Sequence, residues 1–357
     1  MYYPDVHTLS KALDEIDNGL VLLLAGEKDF DFEVLKPIIA SKSFDIVGAF
    51  FPGVIYNSKV YDSGFVLIHS SAFNNAILME SDVKNGFNTL PKTDYRSAIV
   101  ITQGVDSTVQ NFFAQLSSEI ELGVPLIGFG AGSSDLSKAP CIFSKDGIFS
   151  HKVVFISMSS NLTFGLGHGF KRILGPYIAT RVNSNVIKEL NWENASKIYV
   201  NSAIEELGES QIDLKKDFAS HPLGVSRHEK EDIVRDILSF GPKGELMCLN
   251  QVPENAALYV LGAIGKDMLL RTADIVNDLN EQCTTKSICL EIIVQCISRR
   301  SILKEDVQME VDLATTLCSN ETQSISNGVV SIGEITYSGY GQIEIHNKTI
   351  VVGKFYE

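Results

Sequence analysis

The stretch Val124–Asp135, VPLIGFGAGSSD, decides how the first half of the chain is read. Its opening, Val124-Pro-Leu-Ile127, has the apolar character of a buried strand. A second apolar run, Ala98–Thr102, precedes it, and the segment from Val105 to Glu121 between them carries helical spacing of apolar residues. Strand, helix and strand in that order predict a β-α-β unit. A glycine-rich turn behind such a strand is also where many proteins hold a phosphate. The glycines therefore raise a functional question as well as a structural one.

Outward from this unit, Leu9–Ile16 reads as an amphipathic helix, Leu20–Leu24 as a short buried strand and Phe32–Ala40 as a second helix. FDIVGAFF (44–51), GVIYNS (53–58) and GFVLIHS (64–70) are rich in β-branched and aromatic residues and read as strands. Asp146-Gly147 signals a tight hairpin, and Gly241–Gly244 a second one. Strands at Leu162–Phe170 and Tyr177–Val182 precede a helix at Ala195–Leu207. The polar segment Gly208–Lys216 reads as a linker, which divides the chain into domains 1–210 and 211–357. The second half predicts strands at Asp232–Ser239, Ala257–Leu261 and Ile288–Val294. Helices are expected at Lys266–Leu279 and Ile302–Leu317, with a sheet from Val329 onward. Interleaved helices and hairpins indicate an α+β (mixed α/β) fold: two domains with mixed, largely antiparallel sheets flanked by helices.

The chain has 357 residues, enough for about two domains that each bury a core. Hydrophobic residues make up 45% and charged residues 21%, a globular balance. A formal charge of −14 repels phosphate backbones, so no nucleic-acid partner is expected. No run reaches the roughly 18 apolar residues of a membrane span, and no secretory leader is legible, so the expectation is a cytoplasmic protein. The six cysteines, Cys141, Cys248, Cys283, Cys289, Cys296 and Cys318, include no C-x-x-C. They read as free thiols, with no structural metal site. The N-x-S/T sequons at Asn161, Asn194, Asn320 and Asn347 carry no weight in a cytoplasmic chain.

The glycines do not make a standard nucleotide cradle. Gly128 and Gly130 fit the first two positions of a dinucleotide fingerprint, but Ser133 stands where the third glycine belongs. The next segment, SSDLSKAPCIF (133–143), has no helical period, so no helix dipole faces a phosphate. No Lys-Ser/Thr pair ends the run as a Walker loop requires. Two readings remain: the glycines let a backbone approach closely, or they floor a ligand pocket with N–H groups and the hydroxyls of Ser133 and Ser134. There is no Gly-x-Ser-x-Gly elbow. HEKED (228–232) lacks the second histidine of a zinc-protease helix and reads as a solvated charged turn. His168, flanked by glycines in GLGHGF (165–170), is a candidate to face a ligand, against the alternative of a hydrogen-bonded structural histidine.

Taken together, several segments resemble the FIST family, whose members pair FIST N and FIST C domains and are regarded as intracellular sensory modules. Pro125–Gly132 resembles the family's P-x-x-G-G-x-A-G turn, with Phe129 at the second glycine, a departure expected to narrow the pocket. HGFKRILGPYIATRV (168–182) keeps His168, Gly169, Gly175 and Thr180 of a second element. VIKELNWENASKIY matches a third through Ala195 and Tyr199, with Trp192 at the usual glycine. HPLGV (221–225) and VRDIL (234–238) are similar to the FIST C entry segment. QCISRR (295–300) resembles a C-x-g-R element, with Ser298 for the glycine. IGEI (332–335) and HNKT (346–349) resemble the closing motifs.

The resemblance implies a non-enzymatic small-molecule sensor of FIST N-like (1–210) and FIST C-like (211–357) domains, binding an amino-acid-like ligand. The chain leaves no length for an output module, so output is expected to pass to a separate protein, such as a histidine kinase. The tentative ligand-binding residues are Gly128, Gly130, Ser133, His168, Arg235, Cys296, Arg299 and Glu334. Arg235 and Arg299 could clamp a carboxylate with paired hydrogen bonds, and Glu334 could accept from an ammonium. Arg235 and Glu334 could equally be a structural ion pair. One alternative is a haem-based nitric oxide sensor with His168 as iron ligand. A second is a Cys-dependent enzyme using Cys296, which needs a histidine within reach of the sulfur.

Overall fold

In the computed structural model of the protein, residues 1–83, 90, 94–207, 218–228, 230–318 and 325–357 are described, with the backbone alone over 202–207 and 316–318. The segment expected as a linker, 208–216, lies outside the described residues.

Strand Leu20–Gly26 shows how the pattern builds the fold. Every residue in it is buried, so it is covered on both faces. Because side chains alternate along a strand, Leu20, Leu22 and Leu24 enter one core while Val21, Leu23 and Ala25 enter another. The strand pairs in parallel with Asp45–Phe51, and the helix Phe32–Ala40 joins the two. Asp31 caps that helix by accepting from the Glu33 amide at 2.9 Å. The unit expected around the glycine stretch is present: Ser97–Gln103 runs parallel to Leu126–Ala131, connected by helix Val109–Glu119. A third parallel pair, Ile288–Cys296 with Ser326–Ser331, lies in the second half.

Each β-α-β unit belongs to a different six-stranded sheet, and every other strand pairing among the described residues is antiparallel apart from one isolated bridge. The three sheets face one shared core containing Leu22, Phe51, Ile101, Phe129, Ile292 and Val351. Helices cover their outer faces. Leu35 and Ile39 pack on the first sheet, Phe112 and Leu116 on the second, and Ile275, Leu279 and Val311 on the third. Two smaller antiparallel sheets share another core with helix Ala195–Leu207 through Ala195 and Tyr199. The α+β class with largely antiparallel sheets is thus present.

The two sequence halves interleave in space. Asn161–Gly167 pairs with Ile350–Tyr356, and Gly53–Tyr56 with Ser326–Ser331. Leu126–Ala131 pairs with Glu334–Tyr337, so the glycine strand lies between an N-terminal and a C-terminal neighbour. Four of the five sheets contain strands from both sides of residue 210. Two runs expected as single strands break where the chain changes sheets. Tyr177–Val182 straddles the end of Lys171–Ile178 and the start of Arg181–Asn183, which lie in different sheets, and Asp232–Ser239 divides into Ile233–Arg235 and Ile237–Phe240 at Asp236.

Candidate functional site

The glycine strand owes its composition to close packing. A Cβ on Gly128 would lie 2.3 Å from the Val100 carbonyl oxygen, and one on Gly130 would lie 2.2 Å from that of Ile332. Both contacts are far inside van der Waals range. The Gly130 amide donates to Gly333 O and its carbonyl accepts from Ile332 N, each at 2.8 Å. These N–H groups serve the seam between sequence halves and are not offered to a ligand. Phe129, expected to narrow a pocket, points instead into the shared core, with its ring edge-on to Phe51 at 5.6 Å.

Past the strand, the turn does bind an anion, and the anion is a side chain. Ser133 Oγ and Ser134 N each donate to Glu27 Oε2 at 2.7 Å, and Ser134 Oγ donates to Glu27 Oε1. Glu27 comes directly after strand Leu20–Gly26. The donors that could have cradled a phosphate are thus occupied.

Beside this turn lies a pocket of about 400 Å³. Ser134 and Leu136 form its wall from the first half of the chain. Asp236, Leu238, Cys296, Ser298, Gly333 and Lys348 are among the lining residues from the second. Most of the lining is apolar, with one buried charge pair: Lys348 Nζ stands 2.8 Å from Asp236 Oδ1, their side chains 2% and 7% exposed. The other carboxylate oxygen, Asp236 Oδ2, is buried without a hydrogen-bond partner. Asn347 Nδ2, next to Lys348 in the chain, is likewise buried and unpaired. An unmet buried carboxylate oxygen costs on the order of 1–3 kcal/mol, which a ligand N–H would recover.

Of the eight residues expected from sequence, Cys296 alone lines this pocket. Its thiol pKa is pushed far up by burial and then by the neighbouring Glu334 carboxylate, the opposite of what a nucleophile needs. Glu334 is fully buried and accepts from Thr349 Oγ1 at 2.7 Å, from the Thr349 amide at 3.3 Å and from Ser331 Oγ. Burial raises its pKa to about 7 despite these donors.

The two arginines do not form a carboxylate clamp. Arg299 is wholly buried and bonds both Glu310 oxygens, while its Nη1 donates to the carbonyls of His168 and Lys348. Glu310 also accepts from Thr272 and Gln295. Arg235 donates to the carbonyls of Gln251, Val234 and Ile345, and it forms no ion pair with Glu334. Burial lowers its pKa to about 10.

His168 is structural as well. Its Nδ1 accepts from the Phe170 amide at 2.8 Å and its Nε2 reaches Asp232 O at 3.1 Å, so the ring donates through Nε2. With both nitrogens engaged inside the protein, His168 does not fit the role of a haem ligand. Among the described residues, no cluster of three histidine, cysteine or acidic side chains could hold a metal.

Family models match the chain in tandem: the FIST N domain over residues 19–193 and the FIST C domain over 197–336. The chain belongs to the FIST family. The family is one of sensory signal-transduction domains, not catalytic ones. No curated protein matches the chain. Among the described residues, no helix is long and apolar enough to cross a membrane. The seam pocket draws its walls from both FIST segments and is closed by Lys348, just beyond the FIST C match. The backbone also explains a family glycine. Trp192, at the position usually occupied by glycine, has φ +65 in the two-residue turn between Leu190 and Glu193, with Asn191 at φ +51.

Sequence reasoning passed over Asp236 and Lys348 although both lie in quoted segments, VRDIL and HNKT. The available signal was faint, the charged pair Arg235-Asp236 inside the otherwise apolar VRDIL, while Lys348 stands among the polar residues of HNKT. Glu27 and Glu310 carried no comparable mark.

Proposed function

We propose that this FIST protein is a non-enzymatic sensor that takes a small polar, amino-acid-like ligand into the seam pocket and signals to a separate protein, such as a histidine kinase. The observation that carries this reading is a pocket built from both halves of the chain and lined by Asp236, one of whose carboxylate oxygens, Oδ2, is buried without a partner. A ligand ammonium supplies the missing donor. The Lys348 ammonium, with three donors and one directed at Asp236, has N–H groups left for a ligand carboxylate. Because the lining comes from both FIST segments, an occupant favours the conformations in which they are closed on it. That population shift is the output a partner can read.

The test is a thermal-shift screen of the twenty amino acids against the protein and its Asp236→Asn variant. A ligand at about 100 times its Kd should add about 2.7 kcal/mol, a rise of several degrees in Tm. The variant should lose that rise. A shift that survives in Asp236→Asn, or the absence of any shift both from the amino acids and from short peptides added to the same screen, refutes the reading.

A further inference from the structure

The seam pocket has a neighbour. A second cavity of about 380 Å³ shares three wall residues with it, Leu136, Leu238 and Leu249. Its far side is lined by neutral amides, among them Gln110, Asn185, Asn250 and Gln251. Asn250 donates to Asn347, the chain neighbour of Lys348, so a side-chain bond runs from the second cavity to the residue beside the first cavity's lysine. One end of the Gln110 amide, Oε1, is buried without a partner. The second cavity's carboxylate is already committed: Asp106 accepts from Ser81, Thr108 and His151. The remaining charge is Lys138, exposed at the rim.

Backbone strain gathers around the same pair of cavities. Leu136 on the shared wall has φ +59, Ser184 in the second cavity +58, and Lys348 in the first +55. Left-handed conformations of non-glycine residues cost about 1–3 kcal/mol each and persist where the surroundings enforce them, often at ligand sites.

Across the two cavities, the chemistry runs from an unmet carboxylate oxygen, past three leucines, to the unmet amide oxygen of Gln110 and a rim lysine. We propose that the two cavities form one site for a short peptide, its N-terminal ammonium on Asp236, its backbone amides against Gln110 and Asn250, and its C-terminal carboxylate toward Lys138. This rests on the seam-pocket reading and narrows its ligand class. A free amino acid occupies one cavity and leaves the Gln110 amide unsatisfied. Each cavity alone already reaches the range of roughly 300–1,000 Å³ found for small-molecule pockets.

The experiment equilibrates the purified full chain with three pools: a random tripeptide library, the same library N-acetylated, and the twenty free amino acids. Retained compounds are identified by mass spectrometry for the wild type and for Asp236→Asn, Gln110→Leu and Lys138→Ala. Free tripeptides should be retained about tenfold better than amino acids, and the acetylated library should be lost. Gln110→Leu and Lys138→Ala should each lower tripeptide retention about tenfold. Lys138 is exposed, so its variant tests the site without endangering the fold. Amino acids retained as well as tripeptides, with both second-cavity variants neutral and Asp236→Asn inactive, overturn the peptide site and leave the seam pocket standing. Retention from no pool overturns both, as does tripeptide retention undiminished in Asp236→Asn.

Discussion

Cys296 and Glu334 lie side by side, the carboxylate close enough to raise the thiol pKa, and both side chains are shut off from solvent. The contact couples a pocket wall to the strand that pairs with the glycine strand. The burial of Glu334 also makes stability depend on pH. Burial lifts Glu334 from 4.5 to about 7, so between those values the folded state keeps a proton that the unfolded chain releases. Its contribution to stability therefore falls as pH rises through that window, by about 3 kcal/mol in all. His346 acts in the opposite direction. Burial lowers it to about 3, so the stability of its neutral form is lost as pH falls through 6.5. Glu334→Gln isolates the carboxylate. Urea unfolding at each pH should show the variant gaining about 3 kcal/mol relative to wild type between pH 4.5 and 8; a constant difference would place the titration elsewhere.

The Arg299–Glu310 pair, unexposed on both sides, should behave as a buried structural pair. Removing one partner leaves an uncompensated charge among Thr272, Gln295 and two backbone carbonyls. Arg299→Met or Glu310→Leu alone should cost about 3–5 kcal/mol, while the double variant should recover much of that loss. A double-mutant cycle in urea reads the coupling. Additive losses would mean that the two side chains act independently.

Two family glycine positions should respond with opposite signs. Gly130→Ala forces a Cβ against the Ile332 carbonyl and should cost about 3 kcal/mol, because two backbone strands must separate to admit it. Trp192 is 78% exposed and held at φ +65. Trp192→Gly relieves that strain with little packing lost and should stabilise by about 0.5–1 kcal/mol. Thermal melts of the two variants suffice, and a destabilised Trp192→Gly would show that the ring packs on something in solution.

Local structure was legible because local forces set it. Helices Phe32–Ala40 and Ala195–Leu207 stand at the expected bounds, and the β-α-β unit around Val124–Asp135 is present. The sheet change at Asp236 was not legible, because a run such as DIVRDILS has uniform strand character and only pairing partners distant in sequence reveal the break. The same limit governed the site. Arg235, Arg299 and His168 were chosen for what their side chains can do, and each does it toward a carbonyl or carboxylate of the protein itself. Asp236 and Lys348 meet only after the chain has closed through four shared sheets, so no spacing in the sequence records them.

Cysteine reactivity tests the remaining chemical alternative, a Cys296-dependent enzyme. A nucleophilic cysteine needs a thiolate, yet burial and Glu334 both disfavour one at Cys296. Cys289 is exposed, and burial raises its pKa less. Cys141 and Cys248 are buried, with thiols pushed up to about 12. Iodoacetamide at pH 8 under native conditions should therefore alkylate Cys289 well ahead of Cys296, Cys141 and Cys248, as read by peptide mapping over time. Glu334→Gln should not speed the reaction at Cys296 to the rate of Cys289, because desolvation, the larger cause of the raised thiol pKa, remains. Cys296 alkylating as fast as Cys289 in the wild type would mean that the pocket stabilises a thiolate, and would return the enzyme reading to contention.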